Sequence, residues 1–142
     1  MTRERVLVTG GAGFIGSHLV EQLIATGHSV TVLDDFSSGR RQNLEDAAAR
    51  GDLRLITGSV LDPAALEAAL EQCDRVYHLA VQCVRRSLGR PLENHEINAT
   101  GTLTTLEAAR RAKVERFIYC SSSEVYGNRG GPALSEEMAC AP

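Results

Sequence analysis

A glycine-rich turn between an apolar run and a helical pattern constrains the fold of this chain more than any other feature. Gly10, Gly11, Gly13 and Gly16 follow the β-branched run Arg5–Thr9 and precede apolar residues at helical spacing. Such glycines permit a tight turn, a close approach of backbone to a ligand, and close packing of helix on strand. A helix that begins directly after the turn offers free N–H groups and a partial positive charge to an anion. The feature predicts a strand–turn–helix unit that binds phosphate groups.

An acidic residue ends the second apolar run of the chain. Residues 28–33 read as a strand, and Asp34 follows them, 18 residues after Gly16. A carboxylate at this point can accept hydrogen bonds from the ribose hydroxyls of an adenosine and repels a 2′-phosphate. The alternative is that Asp34 caps a helix or lies in a solvated turn. Together with the glycine turn, it predicts a dinucleotide site that takes NAD.

Apolar runs alternate with helical patterns along the remaining chain. Strands are predicted at residues 53–57, 75–79 and 116–120, and helices at residues 63–72, with Asp62 as N-cap, and about 92–112. This alternation favours a parallel sheet with helices on both faces. The predicted fold class is α/β, a doubly wound Rossmann sheet, with an irregular segment at residues 127–142.

Composition and charge exclude several classes of protein. The 142 residues are 43% hydrophobic and 23% charged with a net charge of −3, which indicates one globular domain and argues against nucleic acid as a partner. No apolar run reaches the roughly 18 residues of a membrane-spanning helix, and the leading residues lack an apolar signal segment. We therefore expect a cytoplasmic protein without a membrane partner.

The cysteines and histidines do not have the spacing of metal ligands. There is no CxxC pair and no HExxH motif, so no metal site is expected. Cys73 and Cys120 are interpreted as small buried apolar residues. His78 is interpreted as a core histidine whose ring is satisfied by backbone groups.

Five motifs, in order along the chain, resemble those of the extended short-chain dehydrogenase/reductases, the NAD-dependent nucleotide-sugar epimerases and dehydratases. They are TGGAGFIG at residues 9–16, LDDFSSGR at 33–40, VYHLA at 76–80, INATGTL at 97–103 and CSSSEVYG at 120–127.

The resemblance implies contacts with NAD for residues of the first four motifs and of the segment after the third strand. These residues are Gly10, Gly13, Phe14, Ile15, Gly16, Asp34, Asp35, Ser37, Ser38, Gly39, Ser59, Val60, Leu79, Ala80 and Asn98. Ser59 stands where family members often carry an acid that holds the adenine amine, which makes the adenine contacts at this position weaker.

The resemblance also implies three catalytic positions in the last motif. Ser122 takes the place of the hydroxyl that hydrogen-bonds the reacting sugar hydroxyl, and Ser123 and Glu124 take the next two active-site positions. A Glu at this point is more typical of sugar dehydratases, decarboxylases and some epimerases. The alternative is that one or two of the serines cap the end of the strand.

The catalytic Tyr-xxx-Lys pair of the family does not occur in this sequence. None of Tyr77, Tyr119 and Tyr126 is followed by a Lys four residues later, and Lys113 is the one lysine of the chain. We expect residues 1–142 to form an incomplete NAD-binding Rossmann domain that ends before the tyrosine helix and the substrate domain.

Two hypotheses about function remain open at this point. The first is an NAD-dependent epimerase/dehydratase that acts on a UDP-, GDP- or dTDP-linked sugar, represented by its cofactor-binding portion and forming a homodimer as family members commonly do. The alternative is a stand-alone NAD-binding module without turnover. An in-frame Tyr-xxx-Lys motif in the gene beyond codon 142 would favour the enzyme.

Overall fold

The computed structural model describes residues 3–128, 131 and 133–142 and is built on a five-stranded parallel sheet. The strands are β1 (Arg5–Thr9), β2 (Ser29–Asp34), β3 (Leu53–Thr57), β4 (Arg75–His78) and β5 (Arg116–Tyr119). Their order across the sheet is β3-β2-β1-β4-β5. All five predicted strands are present, with ends that differ from the prediction by one residue at most.

Helices cover both faces of the sheet, which confirms the doubly wound fold class. They are α1 (Phe14–Ala25), α2 (Glu45–Arg50), α3 (Pro63–Ala69), α4 (Val84–Ser87), α5 (Pro91–His95) and α6 (Gly101–Arg111). Successive side chains of a strand point to opposite faces. Val6 and Val8 therefore pack in the core that α1 and α2 complete, whereas Leu7 packs in the core that α3 and α6 complete.

The third helix begins as predicted and ends earlier than predicted. The Asp62 carboxylate accepts hydrogen bonds from the N–H groups of Ala64 (2.9 Å) and Ala65 (3.4 Å), and Pro63 occupies the first turn. The helix ends at Ala69 rather than at residue 72, because Gln72 adopts a φ of 56°, in the left-handed region that a helix cannot continue through.

The predicted helix over residues 92–112 is one continuous helical run with a change of winding inside it. α5 passes directly into a π-helical segment, Glu96–Thr100, and that segment passes into α6. Patterning did not predict the change of winding. It also missed α4 and the 3-10 turn Arg41–Leu44 that leads into α2.

The last residues of the chain fold back onto the turn that follows β5. A 3-10 turn, Ser123–Tyr126, follows the strand, and the described residues after position 127 contain no helix or strand, as predicted. Arg129, Gly130 and Pro132 lie outside the described residues. The N–H of Ala141 donates to the carbonyl of Val125 (2.9 Å).

One of the two cysteine predictions is wrong. Cys73 is buried as expected, and this burial raises the pKa of its thiol. Cys120 is exposed, because it lies just past β5, an edge strand that is only partly covered. Within the described part of the chain, no helix is long and apolar enough to cross a bilayer.

Candidate functional site

The glycine turn lies where the order of the strands reverses. β2 flanks β1 on one side and β4 flanks it on the other, so the turn after β1 opens into the crevice between them. Gly10 has a φ of 69°, and its N–H donates to the Leu33 carbonyl (2.9 Å). A Cβ at Gly10 would lie 2.8 Å from the Ala80 nitrogen, and one at Gly16 would lie 2.3 Å from the Gly10 carbonyl oxygen. Both glycines are therefore required by close backbone packing.

The N-terminus of α1 is open toward this crevice. Gly13 precedes the helix and has no side chain to cap it, and the first turn contains no acidic residue. The first N–H groups of a helix have no acceptor within the helix. A Cβ at Gly13 would meet only the Gly10 carbonyl oxygen, at 3.3 Å. Phe14 and Ile15 are 80% and 64% exposed beside it.

Asp34 ends β2 and fixes the turn that follows it. The residue is only 7% exposed, and its carboxylate accepts from the N–H of Ala12 (2.9 Å) and from the N–H of Phe36 (2.8 Å). Each carboxylate oxygen has a second lone pair for a further donor. A Cβ at Gly39 would lie 3.0 Å from Asp34 Oδ1, so this glycine lets the turn close over the carboxylate.

The turn after β2 is joined to the glycine turn through one carbonyl. The Ala12 oxygen accepts from the backbone N–H of Arg40 (3.1 Å) and from the side-chain amide of Asn43 (2.8 Å). Asp35 is exposed and accepts from the N–H of Ser37 (2.9 Å). Ser38 is exposed in the same turn.

Two arginines lie around the turn after β2. The Arg41 guanidinium lies 4.4 Å from the centre of the Phe36 ring and donates to Thr57 Oγ1 (2.8 Å). Arg86, from α4, donates to the carbonyl of Ser37 (3.3 Å). Arg86 thus links the segment after β4 to the turn after β2.

Ser59 and Val60, the two predicted adenine contacts after β3, differ in what their side chains contact. Ser59 Oγ accepts from the N–H of Leu61 (3.1 Å). The Val60 side chain is buried in the α3/α6 core, and its carbonyl accepts from Thr104 Oγ1 (2.7 Å). A ligand at the sheet edge would therefore meet Val60 through backbone atoms, and adenine contact at both residues stays a prediction.

His78 is a core histidine as predicted, but its partners are two threonine hydroxyls rather than backbone groups. It is 1% exposed at the end of β4, and burial lowers the pKa of its ring to about 4. Nδ1 lies 2.8 Å from Thr9 Oγ1, and Nε2 lies 3.1 Å from Thr102 Oγ1. Thr9 Oγ1 also accepts from the N–H groups of Leu79 and Ala80, both at 3.2 Å. The ring therefore joins β1, the residues after β4, and α6.

Asn98 lies in the π-helical segment and holds the backbone of Gln82. Its Oδ1 accepts from the Gln82 N–H (2.8 Å), and its Nδ2 donates to the Gln82 carbonyl (2.9 Å). The Gln82 side-chain amide donates to Glu93 (3.0 Å), and hydrogen bonds from Gln82 and Arg90 lower the pKa of the Glu93 carboxyl. This geometry indicates that Asn98 shapes the segment after β4; direct contact of Asn98 with a cofactor stays a prediction.

The three predicted catalytic residues follow β5 at the same edge of the sheet. The N–H of Cys120 donates to the His78 carbonyl (3.2 Å), which aligns the end of β5 with the end of β4. Ser122, Ser123 and Glu124 are all exposed, and Ser122 Oγ accepts from the N–H of Glu124 (3.2 Å). Ser122 thus caps the 3-10 turn, and its O–H remains able to donate.

The structure brings most predicted residues to one edge of the sheet and reveals others that patterning missed. Those missed are Thr9, Asn43, Gln82 and Thr102. Their polar side chains lie beside apolar residues in the sequence, and no spacing rule assigns them partners. Within the described residues, no three His, Cys, Asp or Glu side chains come together as a metal site.

Comparison with known proteins identifies a family whose sequences match this chain. The NAD dependent epimerase/dehydratase family matches residues 6–142. The chain is 40% identical over 136 residues to a UDP-N-acetyl-alpha-D-glucosaminuronate decarboxylase of Bacillus cytotoxicus, covering 95% of this chain and 41% of that protein. It is 41% identical over 142 residues to a UDP-glucose 4-epimerase of Mycolicibacterium smegmatis, covering 97% of this chain and 45% of the relative.

Solved structures agree with these relatives. A UDP-N-acetylglucosamine 4-epimerase of Methanobrevibacter ruminantium, in complex with UDP-N-acetylmuramic acid, superposes with a TM-score of 0.86 at 36% identity over all of this chain and 45% of its own. A UDP-glucose 4-epimerase of Thermus thermophilus in complex with NAD gives 0.84 at 36% identity, over 97% of this chain and 44% of its own. The chain spans less than half the length of these proteins. It belongs to the NAD-dependent epimerase/dehydratase family.

Proposed function

We propose that this chain binds NAD(H) and is the cofactor-binding portion of an epimerase, dehydratase or decarboxylase that acts on a nucleotide sugar. The observation that carries the proposal is the open N-terminus of α1. Uncapped N–H groups, a side-chain-free Gly13 and the absence of first-turn acids form a site for the pyrophosphate of a dinucleotide. The exposed Phe14 and Ile15 offer apolar surface beside it.

The remaining predicted cofactor contacts lie along the two sides of the same crevice. Asp34 has lone pairs free for the hydroxyls of the adenosine ribose, and the exposed Ser37 and Ser38 extend the turn beside the phosphates. Leu79 and Ala80 line the opposite side, after β4. When bound, NAD supplies hydride transfer to and from a sugar carbon.

Ser122, Ser123 and Glu124 are proposed to meet the sugar at the end of β5. The Ser122 hydroxyl can donate to or accept from a reacting sugar hydroxyl, and Glu124 can accept or return a proton. Their exposure leaves them accessible to a substrate. Because the named relatives are UDP-sugar enzymes, a UDP-linked sugar is favoured over GDP- and dTDP-linked sugars.

The preference for NAD over NADP follows from charge. A 2′-phosphate would lie beside the carboxylates of Asp34 and Asp35, which repel it. The Arg41 guanidinium is already held by the Phe36 ring and by Thr57 Oγ1. Titration calorimetry with both dinucleotides tests the proposal: NAD should bind more tightly, and equal or tighter binding of NADP would contradict it.

A stand-alone NAD-binding module is the second candidate function. It is favoured by the contrast between the fixed cofactor loops and the loosely held Ser122 and Glu124. Reading the gene beyond codon 142 separates the two: an in-frame Tyr-xxx-Lys motif would favour the enzyme, and a stop codon would favour the module.

We further propose a cytoplasmic location and a homodimer. Leu103 and Leu106, exposed one turn apart on α6, support the homodimer. Cell fractionation and light scattering test these two statements.

A further inference from the structure

A buried chain of hydrogen bonds crosses the molecule between α6 and the crevice. It runs from Thr102 Oγ1, which donates to the Asn98 carbonyl (2.7 Å), through the His78 ring to Thr9 Oγ1 and the N–H groups of Leu79 and Ala80. These hydrogen bonds link three elements that are far apart in sequence. They end at the two residues that face the glycine turn across the crevice.

The direction of each hydrogen bond in this chain is determined by its ends. Since the Asn98 carbonyl is an acceptor, Thr102 donates to it and accepts from His78 Nε2–H. The neutral ring then presents Nδ1 as an acceptor, which takes the hydroxyl proton of Thr9. Thr9 Oγ1 in turn accepts from the two backbone N–H groups. The Leu79 N–H is shared between Thr9 Oγ1 and the backbone carbonyl of Thr9 (3.1 Å), the Ala80 N–H donates to Thr9 Oγ1, and the ring needs no charge.

The same helical run holds the far end of the segment after β4. Asn98, four residues before Thr102, binds both the N–H and the carbonyl of Gln82. Residues 79–82 are therefore held at their start by Thr9, which Thr102 reaches through His78, and at their end directly by Asn98. Their position sets the width of the crevice, because a Cβ at Gly10 would already lie 2.8 Å from the Ala80 nitrogen.

We propose that His78 and Thr102 are positioning residues for the cofactor site: they hold residues 79–82 against the glycine turn, so that the dinucleotide crevice is formed before the ligand arrives. The proposal rests on NAD binding as the function. A preformed site avoids the entropy of ordering a loop on binding. Loss of the link therefore weakens NAD binding beyond any general loss of stability.

The helix offers a matched control for this proposal. Thr102→Val removes the acceptor of His78 Nε2–H at constant shape, whereas Thr102→Ser retains a hydroxyl. Thr105 lies one turn later, is fully buried, and its hydroxyl donates to the Gly101 carbonyl (2.7 Å) of its own helix. Thr105→Val therefore removes a buried threonine hydroxyl without touching the link to the crevice.

The experiment compares these three variants with the unaltered chain by NAD titration calorimetry and by urea unfolding. We expect Thr102→Val to bind NAD roughly five- to tenfold more weakly, the equivalent of one lost hydrogen bond. Thr102→Ser and Thr105→Val should stay within about twofold of the unaltered chain. Equal NAD affinities for Thr102→Val and Thr105→Val, or a Thr102→Ser that binds as weakly as Thr102→Val, would overturn the proposal.

Amide hydrogen exchange tests positioning without any ligand. The N–H of Ala80, which donates to Thr9 Oγ1, should exchange about tenfold faster in Thr102→Val than in Thr105→Val at matched stability. Unchanged protection overturns the positioning role. If the unaltered chain fails to bind NAD while the exchange result holds, the proposed function fails and the positioning of residues 79–82 stands.

Discussion

The two ends of the candidate site are built in opposite ways. At residues 10–16 and Asp34, glycines pack against backbone, and a nearly buried carboxylate holds two N–H groups. At residues 122–124, three exposed side chains share one short turn and one local hydrogen bond. The first region is held by long-range contacts among β1, β2 and β4, and the second by hydrogen bonds within its turn and by the one from the Ala141 N–H to the Val125 carbonyl.

This difference teaches that the fold fixes the proposed cofactor site and leaves the proposed catalytic residues more exposed. Fixed geometry is needed where a rigid pyrophosphate meets backbone N–H groups, because a shift of a few tenths of an ångström there removes several hydrogen bonds. The Ser122 hydroxyl and the Glu124 carboxylate, by contrast, need only come within hydrogen-bond distance of a sugar. Substitutions should therefore have large effects on stability or NAD affinity in the first region and small effects on both in the second.

The largest effect is expected for Gly16→Ala. The new methyl group would lie 2.3 Å from the Gly10 carbonyl oxygen and 2.7 Å from the Gly11 Cα, and both are backbone atoms. We expect a loss of about 3 kcal/mol in the free energy of unfolding, at the upper end of overpacking costs. Gly89→Ala, where a Cβ would meet no atom within 4 Å, is the control and should change stability by less than about 0.5 kcal/mol. A stable Gly16→Ala chain would contradict the packing argument.

The next effect concerns pH: protonation of His78 should lower the free energy of unfolding. The pKa of His78 is lowered by burial to about 4 in the folded chain, against about 6.5 when unfolded. Between these values the unfolded chain binds a proton that the folded chain does not, so stability is complete above pH 6.5 and falls as the pH drops toward 4. The expected loss is about 3 kcal/mol.

Urea unfolding at several pH values measures this loss. His78→Asn retains the other three histidines, so the difference between the two pH profiles isolates His78. If both chains lose stability equally between pH 6.5 and 4, His78 is not the group responsible.

Gly13→Val is expected to weaken NAD binding while leaving the fold intact. The position is nearly open, so the fold should change by less than about 1 kcal/mol. The branched side chain would occupy the space of the pyrophosphate, and we expect NAD affinity to fall by about 100-fold, the equivalent of about 2.7 kcal/mol. Calorimetry measures the affinity and circular dichroism the fold. A folded Gly13→Val chain with unchanged affinity would refute the assignment of the phosphate site.

The smallest effect is expected for Ser122→Ala. Its hydroxyl accepts one hydrogen bond in an exposed turn, so we expect a stability loss of about 0.5 kcal/mol and an NAD affinity within twofold. Urea unfolding and calorimetry check both. A loss as large as that of Gly16→Ala would mean that the two ends of the site are equally rigid.

Local chemistry made much of this molecule predictable. The five strands, the Asp62 cap and the glycine turn follow from residues that are neighbours in sequence, because side-chain alternation, helix caps and tight turns depend on short spacings. The position of Asp34 at the end of β2 is of the same kind. Such features persist wherever the segment is placed, so patterning identifies them.

The sequence by itself determined the fold class, the phosphate turn and its acidic partner. Only the tertiary structure decided which polar side chains meet across the sheet. Thr9, His78 and Thr102 are joined over separations of 69 and 24 residues, and Asn98 reaches Gln82 across 16. It also decided that Cys120 is exposed, although it was predicted to be buried. The physical reason is that burial and partner choice depend on which strand ends lie side by side, and short sequence spacings do not encode that.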